Sequence, residues 1–397
     1  MLFSKPIPFA EALASRAVKR ILPTTAGSAE LEKLAPEIRE RALFSARTAN
    51  AGYLAKMDRL LTNLVDPIAA RGTVPGRMSA MSPKELRAEL RKELAAQGYI
   101  APDGKAGTLQ DLSSDSRLEL ITNMQVMEAH SYGQFVLQND PDSIDDAPCL
   151  ELVRGEQRKE PRDWQERWVR AGGSLTAGRM IARKDDPIWT AINRFGRPYA
   201  PFDYGSGMVT REIFRGEAER LGVIKRSDTI KPDTRRLNDS VQMSLPKGNP
   251  ELTAEVIKAF GRSVIGAGSW LRMVEGLSDD ALTAAKSAQA ATGAEVMQDV
   301  IKGRADAMNA MTRADIEGPI DFRYGDSGQG IAHIVERHGE KMAMRVPDVI
   351  ALGEIEKSGE HKISLMLDAD RVIMTDDFKG KAVNRWVLTA FEKGGAR

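Results

Sequence analysis

Between Leu31 and Leu64 the apolar residues Leu34, Ile38, Ala42, Leu43, Leu54, Met57, Leu60, Leu61 and Leu64 recur mostly at steps of three and four. That spacing gathers one buried helix face, and Arg39, Arg41, Arg47, Lys56 and Arg59 fall mostly on the other. Residues 1–75 are therefore expected to form a helical N-terminal region, closed by the break Arg71-Gly72-Thr73-Val74-Pro75-Gly76. Ser82-Pro83-Lys84-Glu85 supplies an N-cap, a proline at the first helical position and the glutamate of a capping box. The helix it opens should bury Leu86, Leu90 and Leu94, and after a turn-rich stretch another is expected over Arg117–Val136.

The helical rhythm is lost from about Pro148 to Ile224, where Trp164, Trp168, Trp189, Phe195, Tyr199, Phe202 and Tyr204 stand among prolines and glycines. Taken singly, such side chains most often build a loop-rich core. Residues 225–250 read as an exposed linker, and helical patterns resume over Glu251–Leu277 and from Asp279 to about Met311. The second is rich in alanine and suits a helical spacer between domains. After Gly318-Pro319 the texture becomes mixed. A short helix holds His333 to His338 and stops at Gly339, and a second covers Val346–Leu352. Strands follow at His361–Leu367, Arg371–Thr375 and Asn384–Phe391, the first two joined by a tight turn at Asp368-Ala369-Asp370. The pattern predicts a mainly α region with a loop-rich aromatic segment, then a small α+β domain of antiparallel sheet and helices. The expected divisions are 1–75, 80–225, 226–315 and 316–397.

Composition narrows this picture in a few places. The chain of 397 residues exceeds one typical core, so two or three domains are expected. A formal net charge of +1 provides no global field toward nucleic acid or a membrane. The charge is uneven, however: residues 151–236 hold 19 Lys/Arg against 13 Asp/Glu, and residues 317–397 hold 12 against 14. The single cysteine, Cys149, leaves no internal disulfide and no multi-cysteine zinc site, which fits a reducing cytosol. No apolar run approaches the ~20 residues that span a bilayer, and the start of the chain lacks the pattern of a signal peptide. Cytosolic synthesis without a membrane segment is the expectation.

Candidate chemistry concentrates at the C-terminal end, where His333, His338 and His361 lie close together in sequence. Histidine serves as acid or base near neutrality without a cofactor. His333 and His338 are five apart, about 500° around a helix axis, so they should point to different faces and only one should meet a given site. Zinc would prefer His-Glu-x-x-His over this His-x-x-x-x-His, and neither metal nor cofactor is expected. Metal-free RNA cleavage needs a base, an acid and cations around the phosphorane. The groups at hand are the histidines, Arg371, Lys379, Lys381, Arg385 and Thr389. Along Asn384–Lys393 simple alternation places Arg385, Val387, Thr389 and Phe391 on one face, and Trp386, Leu388 and Ala390 on the other.

Two stretches carry family resemblances. Arg162-Asp163-Trp164, Trp168, Asp186-Pro187-Ile188-Trp189 and Tyr199-Ala200-Pro201-Phe202-Asp203-Tyr204-Gly205-Ser206-Gly207, with the Thr122-Asn123-Met124-Gln125 helix, resemble the Mu F-like minor head proteins of tailed phages over roughly residues 1–225. The frequent Cys-Arg-Cys of that family is replaced here by Ser206-Gly207-Met208, so no metal or thiol role is carried over. Ala332-His333-Ile334, Arg337-His338-Gly339, the Val372-Ile373-Met374-Thr375 strand and the terminal Arg385-Trp386-Val387-Leu388-Thr389-Ala390-Phe391-Glu392-Lys393 resemble phage-associated nuclease domains of the barnase, EndoU, colicin and RelE-like kind.

By motif position the second resemblance implies His333, Arg385 and Thr389 as catalytic, with Arg371, Lys381 and His338 as weaker candidates. Together the two imply a phage or prophage minor head protein with a metal-independent ribonuclease, toxin-like tip. It would be made in the bacterial host cytoplasm and then placed in the virion head, with portal and capsid proteins as partners, RNA as substrate, and an immunity protein and packaged DNA as further partners. Two rivals stand beside it: a purely structural head protein with an inactive C-terminal module, and an ejection protein binding DNA through the basic middle.

Overall fold

A computed structural model describes residues 10–65, 81–157 and 160–394. It divides into two compact units, one of Met1–Pro23 with Arg39–Asn238 and one of Thr24–Ile38 with Asp239–Arg397. The break at 71–76 lies outside the described residues.

The first unit begins with helix α1 (Ala10–Ala17) and a short parallel pair, β1 (Arg20–Ile21) with β2 (Ala42–Leu43). The main helices follow: α2 (Ala51–Val65), α3 (Pro83–Ala96) and α4 (Asp115–Gln138). The capping box forms as the sequence requires, Ser82 Oγ accepting from the Glu85 amide while the Glu85 carboxylate accepts from the Ser82 amide. Leu86, Leu90 and Leu94 meet Leu54, Met57, Leu60 and Leu61 in one apolar cluster. Two-residue strands at 20–21 and 42–43 depart from the helical expectation, because the backbone there pairs across the chain rather than along it.

The aromatic stretch packs on a three-stranded antiparallel sheet ordered β4 (Ile181–Arg183), β3 (Cys149–Arg154), β5 (Met208–Ile213). Helix α5 (Trp164–Arg170) contributes Trp164 and Trp168 to a core with Trp189 and Phe202. The Trp168 and Trp189 rings meet edge-on at 5.3 Å, and each indole N–H donates to a main-chain carbonyl, of Ser174 and Arg183 respectively. Many of the basic side chains of this stretch share carboxylates within it, although its net excess of positive charge is unchanged by that. Arg162, Arg167 and Arg194 converge on Asp203, Arg179 and Arg211 on Glu151, and Lys184 reaches Glu212.

The second unit is larger than the small domain expected at 316–397. Its nine-stranded sheet runs β11 (Glu354–Ser358), β12 (Lys362–Leu367), β13 (Asp370–Phe378), β14 (Lys381–Glu392), β10 (Pro319–Phe322), β9 (Ala307–Thr312), β7 (Val264–Ala267), β8 (Trp270–Met273), β6 (Gln242–Ser244). All neighbours are antiparallel except β10 with β14. Helix α6 (Pro250–Phe260) ends where a continuous helix to Leu277 was expected. The β-prone Val264-Ile265 and Trp270-Leu271 turn back through Gly268 as a hairpin instead.

The alanine-rich helix α7 (Asp279–Gly303) is no spacer. Ala290, Met297 and Val300 enter the same core as helices α8 (Ile331–His338) and α9 (Glu340–Leu352) and the sheet. Small residues make this possible, since a Cβ on Gly293 would come within 2.8 Å of Met311 and 2.9 Å of Pro347. Residues 226–315 thus hold integral sheet and core elements rather than a linker. The expected α+β character, a mostly helical region followed by a sheet-rich domain, is present.

Candidate active site

The faces of β12, β13 and β14 follow from their register. Ile363, Leu365, Val372, Met374, Val387 and Ala390 pair with one another and pack against the helices. The opposite face carries Met366, Arg371 and Phe391 in one row, and Ser364, Ile373 and Thr389 in the next.

The register of β14 with β13 shifts twice, between Ile373 and Met374 and between Thr375 and Asp377, and the first shift breaks simple alternation along the end of β14. Ile373 pairs with Thr389 and Met374 with Val387, so Leu388 is a bulge without a partner on β13. Its carbonyl accepts instead from the Gly330 amide at the start of α8. Gly330 has φ +85, and a Cβ there would lie 2.9 Å from the carbonyl oxygens of Arg323 and Tyr324, so glycine is required for α8 to be set against β14.

The bulge corrects the expected grouping of Arg385 with Thr389 and Phe391. Arg385 shares its face with Val387 and pairs across with Ile320, on the helix-packed side. There its guanidinium meets Asp376 at 2.9 Å, and Asp376 also lies 3.0 Å from His361 Nδ1. Thr389 and Phe391 fall on the other face. Lys381 lies ten residues before Phe391, roughly 30 Å along the strand at ~3.3 Å per residue, and cannot share a phosphate with it.

The histidines behave differently from the helical-wheel expectation. The rings of His333 and His338 meet edge-on with centroids 5.8 Å apart. A five-residue step leaves about 140° between them. His338 is the last residue of α8 before Gly339, and at that helix end the two rings touch in spite of the angle. His338 then approaches Phe391 at 6.0 Å, and the Arg371 guanidinium lies 5.8 Å over the Phe391 ring. His333, His338 and Arg371 are therefore linked through Phe391, with Thr389 on the same sheet face.

Each imidazole has a defined setting. His333 Nδ1 lies 2.8 Å from the Ser327 carbonyl oxygen, which only accepts, so Nδ1 carries the hydrogen and Nε2 is the exchanging nitrogen. His338 is pushed below the ordinary histidine value, first by burial and then by the charges of His333 and Arg337.

Residues that sequence reasoning did not single out complete the face. Phe391 was read only as a strand residue. Glu356 on β11 bonds Arg371 at 2.5 Å, Lys393 at 2.8 Å and the Ser364 hydroxyl at 3.2 Å. Those contacts depend on cross-strand register, and no local motif announces them. Near the β10 end of β14, Asp321 is fully buried and accepts from the Asn309 amide through Oδ1, while Oδ2 has no hydrogen-bond partner. Burial raises its carboxyl above the ordinary value, more than the Asn309 amide, Arg323 and the Asn384 side chain lower it. Among the described residues no three His, Cys, Asp or Glu side chains are placed to hold a metal ion, and no helix is long and apolar enough to cross a membrane.

Comparison with known proteins adds one match. No curated protein and no solved structure matches the chain. Residues 310–396, which hold the histidine pair, Arg371, Phe391 and Glu356, match the family model described as phage-Barnase-EndoU-ColicinE5/D-RelE like nuclease1, so the C-terminal part of this chain is similar to a phage-associated nuclease.

Proposed function

We propose that the C-terminal unit is a metal-independent ribonuclease whose reacting groups are His338 and His333, with Arg371 steadying the phosphate and Thr389 beside it. The observation that carries this reading is the imidazole pair, 5.8 Å between centroids, bordering the Phe391–Arg371 face. His338, the imidazole pushed down, stands unprotonated and takes the 2′-hydroxyl proton. The 2′-oxygen bonds to phosphorus, and the bond from phosphorus to the 5′-oxygen breaks. His333, oriented by Ser327, delivers a proton from Nε2 to the departing oxygen. The products are a 2′,3′-cyclic phosphate and a 5′-hydroxyl, and Arg371 offsets the extra charge on the phosphorane.

For the first unit the reading remains a phage minor head protein. Its support is the ordered Trp, Pro-Ile-Trp and Ala-Pro-Phe-Asp series, packed as one aromatic core. Placement in the virion head among portal and capsid proteins, and an immunity protein for the producing cell, follow from that reading. DNA ejection is the weaker alternative, because so many arginines of the basic middle already face carboxylates.

The test uses the full chain, since cutting before residue 315 would strip α7 from the core. Purified protein is incubated with an oligoribonucleotide in excess chelator, beside His333→Ala and His338→Ala. Fragments ending in 2′,3′-cyclic phosphate are expected, with each substitution slowing cleavage by roughly 10²–10⁴-fold and leaving the thermal midpoint unchanged. Intact RNA with a folded wild-type chain, or cleavage indifferent to both substitutions, would overturn the assignment.

A further inference from the structure

The carboxylate of Glu356 sits where an anion would be expected from solution. Between Ile355↔Leu365 and Lys357↔Ser364 the β11–β12 register slips, so Glu356 is the inserted residue of a bulge on the edge strand, and bulges re-aim side chains. Here the bulge sends the carboxylate to Arg371, Lys393 and Ser364, three donors from three different segments. The Arg371 guanidinium has further capacity, since its Nε is buried without a partner. The cradle is also one aromatic ring from the imidazole pair, because Phe391 lies beneath Arg371 and against His338.

Glu356 is a poor candidate for a base. Its hydrogen bond from Lys393, then those from Arg371 and Ser364, hold the carboxyl at about 2, far from the range in which a base takes protons at neutrality. What the group does supply is charge. Residues 317–397 carry 12 Lys/Arg against 14 Asp/Glu, so a polyanion meets net repulsion unless a local carboxylate gives way.

We infer that Arg371, Lys393 and Ser364 form a subsite for a nucleic-acid phosphodiester, the same phosphate that Arg371 steadies in the ribonuclease reading, and that Glu356 is a built-in carboxylate occupying it until that phosphate displaces it. The inference rests on the ribonuclease reading for the identity of its ligand. Displacement requires no covalent change: Glu356 swings to solvent from the exposed edge strand, and a phosphate oxygen takes its place between the two cations.

The experiment measures binding of the full chain to a short, fluorescent 2′-O-methyl oligoribonucleotide, which has no 2′-hydroxyl to attack and so reports affinity apart from cleavage. Glu356→Gln removes one negative charge and should tighten binding about three- to tenfold at low salt. It should also steepen the salt dependence by about one phosphate equivalent. Lys393→Gln, which leaves the strands untouched, should weaken binding, and Arg371→Gln should weaken it further and abolish the gain from Glu356→Gln. Unchanged or weaker binding by a folded Glu356→Gln chain would overturn the inference and leave Glu356 as a clamp for the edge strand. Tighter binding by Glu356→Gln beside a wild type that never cuts RNA would uphold the subsite while the nuclease reading fell. Cleavage without tighter binding would do the reverse.

Discussion

The two units treat clustered charge in opposite ways. In the first, Glu128 on α4 is enclosed with Lys19 at 2.7 Å and Arg197 at 2.9 Å, while Arg16 is held by Gln125 and Asp58. Arg16, Lys19 and Arg197 are all nearly inaccessible. In the second, Arg371, Glu356 and Lys393 meet on an open sheet face beside two imidazoles. A buried ion cluster must close upon itself, because each charge left alone in a poor dielectric is costly. An exposed one can exchange its internal partner for an external one at small cost, since water and salt already weaken the pair. The first arrangement fixes a fold, and the second is suited to a ligand.

The largest expected effect tests the closed cluster. Burial works to raise the Glu128 carboxyl, but Arg197, Lys19 and Arg16 outweigh it and hold it below the ordinary carboxylate range. Glu128→Ala strands Lys19 and Arg197 and should cost roughly 3–5 kcal/mol, read as a lower urea midpoint for the first unit. The sign with pH follows from the depressed value. The contribution is complete above the unfolded carboxyl's ordinary 4.5 and is lost as pH falls through the folded one. A loss no greater than that from Glu356→Ala would erase the contrast between the units.

Sequence made the first unit's helices and the last hairpin readable, because their signals are local. The capping box at Ser82 and Glu85 needs four residues, and the Asp368-Ala369-Asp370 turn needs only its two flanking strands. What local pattern misses is set by partners far along the chain. Helix α7 looks like a solvated spacer because alanine and glycine carry little apolar signal, yet small residues are what allow α7 to approach Met311 and Pro347. Alternation along β14 is wrong across Leu388, since the bulge is created by pairing with β13 and by Gly330. The histidines were legible as chemistry and illegible as geometry: composition placed them together, and only the end of α8 brings their rings into contact. Glu356 had no signal at all, being one acidic residue in a strand of exposed residues.

A middle-sized effect tests whether buried charge in the second unit follows the first unit's rule. Asp321 departs from it, with one carboxylate oxygen unpartnered and Arg323 only at 3.7 Å. Because its folded value is raised above the ordinary 3.8, its protonated form is favoured by folding, and the associated stability is present at low pH and lost as pH rises through the folded value. Asp321→Asn removes the buried charge and should therefore stabilise the chain at pH 7. The gain should shrink as pH approaches the ordinary aspartate value. Chemical denaturation at the two pH extremes decides it. A loss of stability at neutral pH would mean that Asp321 and Arg323 act as a closed pair after all.

The smallest effect probes how far the open face tunes its own chemistry. Arg337 is exposed, one residue before His338, and ranks behind burial and His333 among the causes that hold the His338 imidazole down. If His338 is the base, cleavage falls on the acid side as that imidazole takes up a proton, at a pH below the ordinary histidine value. Arg337→Gln removes a nearby positive charge, so the imidazolium becomes easier to form and the acid limb should move upward. The move should be a fraction of a pH unit, because an exposed charge acts through water and salt. The rate on the plateau should hardly change, which separates this tuning from damage to the site. The displacement should also fade at high salt, whereas the part due to burial should persist. An acid limb that stays fixed in Arg337→Gln at low salt, or one that moves downward, would remove His338 as the proton acceptor and shift that role to His333, whose Nε2 is already oriented by the Ser327 carbonyl.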